Sequence, residues 1–155
     1  MKLSDFLSPE RVLANIESTT KKDALKEISE FVSNVEKEDV LSAKHLFNAI
    51  LDREELGSTG IGDGVAIPHA KIHGLKSLCA CFARSNHGVN FEAIDSQPVR
   101  LIFMLLVPEN SAGLHLKALA RISRVLKERD FREQLIAAKD SQELYDAFIQ
   151  QDNLN

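Results

Sequence analysis

The chain has 155 residues, 44% of them hydrophobic and 27% charged, which describes one folded domain with a real core and not a disordered chain. A formal net charge of −4 without any block of consecutive basic residues argues against nucleic acid as a partner, so an anion handled by this protein must meet a local cluster of positive charge. No segment reaches the roughly 18 apolar residues that cross a bilayer, so no membrane insertion is expected.

The N-terminus carries Asp5 and Glu10 where a signal peptide would need its apolar stretch, which points to a cytoplasmic protein. Ala24, Leu25, Ile28, Phe31, Val32 and Val35 recur at helical spacing after Thr19 and Thr20, either of which can serve as N-cap. A second helix is expected from about Ser42 to Glu55, burying Leu46, Phe47, Ile50 and Leu51, with Gly57 placed to end it. Val65 to Ile67 reads as a short strand stopped by Pro68. Leu78 to Ala83, Val89 to Ile94 and Val99 to Val107 follow as strands, the last apolar on both faces and therefore interior to a covered sheet. Cys79 and Cys81 alternate within such a strand and should both face one side as buried, reduced thiols, since i and i+2 neighbours are poorly placed for a disulfide. Helices return with the stripe Leu116, Leu119, Ile122 and Leu126, then a short helix capped by Asp130, then a last one capped by Asp140 or Ser141. The expected fold class is α/β: a single mixed β-sheet flanked by α-helices on both faces, one domain over residues 1–150, with residues 151–155 as a disordered tail.

Four of the seven glycines fall between positions 57 and 64. Glycine lets a backbone turn sharply and bring its N–H groups close to an anion, so Ser58, Thr59 and Gly60 are candidates for a phosphate-binding loop; an ordinary tight connection is the plainer reading. The spacing is not that of a P-loop or a dinucleotide fingerprint. Immediately afterwards, Pro68 fixes φ and lacks an N–H, which places His69 at the rim of the sheet, where ligands of α/β proteins tend to bind. Arg53, in the last turn of the second helix, suits the helix dipole and equally suits a phosphoryl group with its planar fork. His115 opens the helix after the long apolar strand, either as a surface residue or as a second group beside the sheet edge. His45 and His87 read as surface residues. A metal site from His73, Cys79 and Cys81 lacks the spacing such sites need, and Ser58 lacks the surroundings of a nucleophile elbow, so no metal and no cofactor are expected.

The run from Arg53 through Gly57-Ser-Thr-Gly-Ile-Gly-Asp-Gly-Val-Ala-Ile-Pro-His69-Ala resembles the active-site signature of enzyme IIA domains of the mannitol/fructose type, from the bacterial phosphoenolpyruvate-dependent phosphotransferase system. The Gly-Ser-Thr-Gly-Ile-Gly wording is most similar to the nitrogen-regulatory branch, and the likeness extends from Leu3-Ser-Asp-Phe-Leu to Glu143-Leu-Tyr. The resemblance implies a phosphotransferase/anion-transport-like fold of the IIA mannitol type. It implies that His69 is phosphorylated, on its tele nitrogen, that His115 is a second active-site histidine and that Arg53 lines the same pocket. It further implies HPr or its nitrogen-branch paralogue NPr as phosphoryl donor, and regulatory protein targets chosen by phosphorylation state. A sugar-transport role, passing phosphate to a IIB domain, is the alternative. For His69 itself, the expectation is that a carbonyl of the glycine loop holds one ring N–H and leaves the other nitrogen free.

Overall fold

The computed structural model describes residues 1–154. Strand β1 is Val12–Leu13, followed by helices α1 (Lys21–Glu36) and α2 (Ala43–Glu55). Then come β2 (Gly60–Gly62), β3 (Val65–Ala66), β4 (His69–Ile72), β5 (Cys79–Val89) and β6 (Val99–Pro108), and finally α3 (Leu114–Lys127), α4 (Arg129–Ala137) and α5 (Ser141–Asn153). The strands form one mixed sheet in the order β1-β5-β6-β3-β2, with β4 also paired to β6. β5 and β6 run antiparallel, while β1 lies parallel to β5 and both β3 and β4 lie parallel to β6.

Alternation along the strands sorts the core into two layers. One face sends Phe82, Leu101, Phe103 and Leu105 towards α3, α4 and α5, where the Phe148 ring meets Phe82 edge-on at 4.7 Å and Phe103 at 5.4 Å. The other face sends Ala66, Cys81, Ile102, Met104 and Leu106 towards α1 and α2. The expected two-sided α/β arrangement is therefore present, and Cys79 and Cys81 share the α1/α2 face as read. Burial pushes the Cys79 thiol up to about 11 and raises Cys81 as well. Thr20 caps α1 and Ser42 caps α2, each hydroxyl accepting the N–H three residues on; the Asp140 carboxylate does the same for α5.

Several expectations are corrected. Val89 to Ile94 is not a strand: β5 runs on to Val89, and the chain then turns through Glu92 and Ser96 at positive φ. Phe91 and Ala93 point inward from this loop, which imitates strand alternation, but Ile94 is 78% exposed. In α3 the buried stripe is Ala118, Ile122, Val125 and Leu126, leaving Leu116 at 63% exposure. Glu128, not Asp130, takes the N-cap position of α4. The segment expected as a tail continues α5 through Asn153. Asp152 is buried there, accepting the Leu3 N–H at 2.7 Å and the Arg121 Nε–H at 2.6 Å, so the last turn of the helix is tied to the start of the chain. Residue 155 lies outside the described residues.

One buried charge is balanced without a carboxylate. Arg84, on β5, is 4% exposed, and its guanidinium donates to the carbonyls of Ala14 at 2.9 Å, Leu135 at 2.8 Å and Ala138 at 2.7 Å. Two of these carbonyls belong to the C-terminal end of α4, whose dipole favours a cation; burial lowers the Arg84 pKa all the same. Arg84→Met would leave those oxygens buried without donors, so stability should fall by about 3 kcal/mol in denaturant melts. A loss under about 0.5 kcal/mol, the ordinary size for an inconsequential surface change, would contradict this account.

Candidate active site

The sheet margin around His69 is shaped by Pro68. Its carbonyl still accepts the Leu105 N–H at 2.9 Å, but it has no N–H to donate, so the strand that began as β3 resumes only at His69. His69 therefore opens β4 instead of lying beyond a strand end, and its ring is half-buried. Nδ1 lies 2.9 Å from the carbonyl oxygen of Ile67. A carbonyl only accepts, so Nδ1 carries a proton, and in the neutral ring Nε2 then keeps its lone pair. The holding carbonyl thus comes from the residue before the proline and not from the glycine loop.

His115 is the second residue of α3, and its Nδ1 lies 3.2 Å from the Ser111 hydroxyl. A hydroxyl donates or accepts, so this bond orients the ring without choosing its tautomer. Arg53 stands in the last turn of α2, where one Nη1–H donates to the Gly57 carbonyl at 2.9 Å; among the described residues its other N–H groups make no hydrogen bond. These three side chains, from three different elements, line one cleft of about 530 Å³ together with Leu56, Lys71 and Val107. Lys71 was not singled out from the sequence. It sits two residues after His69 on β4 and so projects from the same side of the strand, a signal available once that segment is read as strand. Arg53 and Lys71 outnumber Asp52 in the cleft lining, which leaves it a small excess of positive charge in a chain of net charge −4.

Ser58, Thr59 and Gly60 are not among the residues lining this cleft, and the N–H groups of Thr59 and Gly60 are spent within the protein. Thr59 is 5% exposed, with its N–H and hydroxyl both spent on the Glu54 carboxylate. The Ser58 hydroxyl donates to the Phe91 carbonyl and accepts the Gly60 N–H. Gly60 packs so closely on Ala93 that a Cβ there would stand 2.8 Å from the alanine methyl. The glycines instead build a tight hairpin between β2 and β3, with Asp63 and Gly64 at φ 57° and 76°, a turn that matches strand twist. Clustered glycine signals close backbone approach; it does not say whether the neighbour is a ligand or the protein itself.

His45 and His87 are exposed, as read, and His73 is an exposed partner of Glu109 at 3.1 Å. Among the described residues, no group of three or more His, Cys, Asp or Glu side chains is placed to hold a metal ion, and no helix is long and apolar enough to cross a membrane.

A small α/β domain that presents one imidazole oriented by a carbonyl at its sheet margin, beside an arginine, a lysine and a second imidazole, has the groups that accepting an anionic group on nitrogen would require. The chain belongs to the family described as phosphoenolpyruvate-dependent sugar phosphotransferase system, EIIA 2, whose model matches residues 5–151. Members of that family transfer phosphoryl groups as components of the system. The chain is 39% identical over 145 residues to a nitrogen regulatory protein of Bradyrhizobium diazoefficiens, covering 94% of this chain and 93% of that one. It is 37% identical to the fructose-specific EIIABC component of Bacillus subtilis, covering 98% of this chain but only 24% of that longer protein. Its fold matches the crystal structure of the nitrogen regulatory protein IIA-Ntr from Neisseria meningitidis with a TM-score of 0.86 at 35% identity, covering 94% and 98% of the two chains. The resemblance read from the sequence, to the nitrogen-regulatory branch of the mannitol/fructose type, holds.

Proposed function

We propose that this protein is a phosphohistidine carrier of the nitrogen-related phosphotransferase system, taking a phosphoryl group from HPr or NPr onto Nε2 of His69 and regulating cytoplasmic partner proteins by its phosphorylation state. The observation that carries the reading is the Ile67 carbonyl 2.9 Å from Nδ1, which in the neutral ring holds the proton there and leaves Nε2 its lone pair, in a cleft shared with Arg53, Lys71 and His115. In the transfer, the Nε2 lone pair attacks phosphorus while the donor's own N–P bond breaks in line. His69 keeps its Nδ1 proton, so the phosphorylated ring is cationic and faces the Ile67 carbonyl. No proton has to leave, and the ring stays a good leaving group for the onward step. Phosphoryl transfer asks chiefly for positioning and for charge stabilisation on three equatorial oxygens, which cationic and N–H donor side chains supply.

The test is incubation with phosphoenolpyruvate, enzyme I and HPr or NPr, followed by intact mass measurement. A gain of one phosphoryl group that is lost in mild acid and retained in base is the expected result, since an N–P bond is acid-labile and a phosphoserine ester is not. An acid-stable label would refute the carrier reading. A second reading, onward transfer to a IIB domain, is favoured by the likeness to a fused EIIABC protein. Loss of the label on adding such a domain, with its appearance there, would establish that output. A pull-down that differs between the two phosphorylation states would establish the regulatory one.

A further inference from the structure

Glu54 follows Arg53 in the last turn of α2, yet it is 4% exposed and its carboxylate points inward. A buried carboxylate is costly unless its oxygens are filled. Here Thr59 fills them: its N–H donates to Oε1 at 3.0 Å and Oε2 at 2.9 Å, and its hydroxyl donates to Oε1 at 2.8 Å. Lys21 stands 3.8 Å from the same carboxylate, though closer to Glu92 at 3.2 Å. The connection continues past Thr59. Its carbonyl accepts the Ile67 N–H at 3.0 Å, and the Ile67 carbonyl accepts the His69 Nδ1–H at 2.9 Å. Glu54 and His69, which never touch, are thus the two ends of one run of hydrogen bonds.

We propose that Glu54 is a positioning residue for His69: it locks Thr59, Thr59 locks Ile67, and Ile67 keeps the ring proton on Nδ1 and the lone pair on Nε2. The inference rests on the reading of His69 as phosphoryl acceptor. Within Thr59 and within Ile67, the N–H and the C=O belong to different peptide groups separated by Cα, so the run transmits geometry and not charge. The carboxylate is the side chain this place requires, because every group approaching it is a donor. Glutamine would turn an NH₂ towards one of them, and aspartate is one methylene too short to reach Thr59 from α2.

The experiment compares the full-length protein with Glu54→Gln and Thr59→Val. Imidazole ¹⁵N correlation spectra of the unphosphorylated protein, in alkaline buffer, report the tautomer of each histidine, and phosphoryl uptake from HPr or NPr reports the rate. The parent protein should show His69 with its proton on Nδ1. Glu54→Gln should introduce the Nε2–H tautomer at His69 alone, leave His115 as in the parent, and slow uptake about tenfold, within the loss that a small misplacement of a reacting group causes. Thr59→Val keeps the N–H bonds and loses the hydroxyl, so it should fall between the two, and it carries the test if Glu54→Gln does not fold. A folded variant that is less stable but keeps the parent tautomer and the parent rate overturns the proposal, since a merely structural carboxylate would behave in that way. The tautomer is read without any phosphoryl donor. A parent protein that takes no label on His69 therefore sinks the carrier reading, whereas an unchanged tautomer in a labelled protein sinks only the role of Glu54.

Discussion

His69→Ala should abolish phosphoryl uptake while leaving the fold intact. The substitution removes a half-buried ring from the first position of a strand whose ladder to β6 is made by backbone groups, so melting should move little. What it removes chemically is the proposed nucleophile, and nothing nearby replaces it in kind. His45, His73 and His87 are exposed elsewhere on the surface and do not line the cleft. His115 does line it, but its Nδ1 is engaged by Ser111 and not by a carbonyl, so no obligate acceptor fixes its proton on one nitrogen. Phosphorylation by the general proteins of the system, followed by intact mass and by peptide mapping in base, should find no label in His69→Ala. A label on the peptide containing His115 would move the acceptor to that ring and overturn the assignment.

Arg53→Ala and His115→Ala should each slow transfer by about 10²–10³, equivalent to about 3 kcal/mol of transition-state stabilisation, without abolishing it. Both groups keep nitrogen atoms free to face a phosphoryl group: Arg53 spends one Nη1–H on Gly57, and His115 has Nε2 beyond its Ser111 bond, a donor whenever that nitrogen carries the proton. Lysine should rescue position 53 poorly, since a point charge cannot hold the Gly57 carbonyl and a phosphoryl oxygen in one planar fork. Rapid-quench measurement of single-turnover transfer from phosphorylated HPr or NPr checks this. Rates within a factor of three of the parent for either variant would remove that residue from the transferring apparatus.

The elements most legible in the sequence are those whose residues meet the core with a regular period. Helices α1 and α2, with their Thr20 and Ser42 caps, and the apolar strand β6 followed from spacing alone, because a period of 3.6 or an unbroken apolar run has few other physical outcomes. The loop from Asn90 to Pro98 misled for the converse reason. Phe91 and Ala93 are buried, Phe91 in the core layer under α1 and α2 and Ala93 directly on Gly60, and burial without a ladder leaves the same trace in sequence as a strand. The glycine cluster misleads similarly: it does mark close approach, but the approaching partner is the protein's own loop, with Ala93 on Gly60 and Asp95 beside Gly62. The stripe of α3 was shifted because Leu116 is apolar but faces outward, and which face a helix buries depends on where the sheet lies.

By itself, the order of residues determined that a proline would break a strand and present His69 at its rim, that an arginine would end the preceding helix, and that both faces of one sheet would be covered. Those are local consequences of a missing N–H, of helical periodicity and of apolar alternation. Only the tertiary structure decided that Arg53, His69 and His115, 62 positions apart from first to last, line a single cleft, that Ile67 supplies the carbonyl choosing the tautomer, and that Glu54 is buried behind it. Distances between side chains on different elements are set by how the helices dock on the twisted sheet, a collective result of packing that no spacing along the chain encodes.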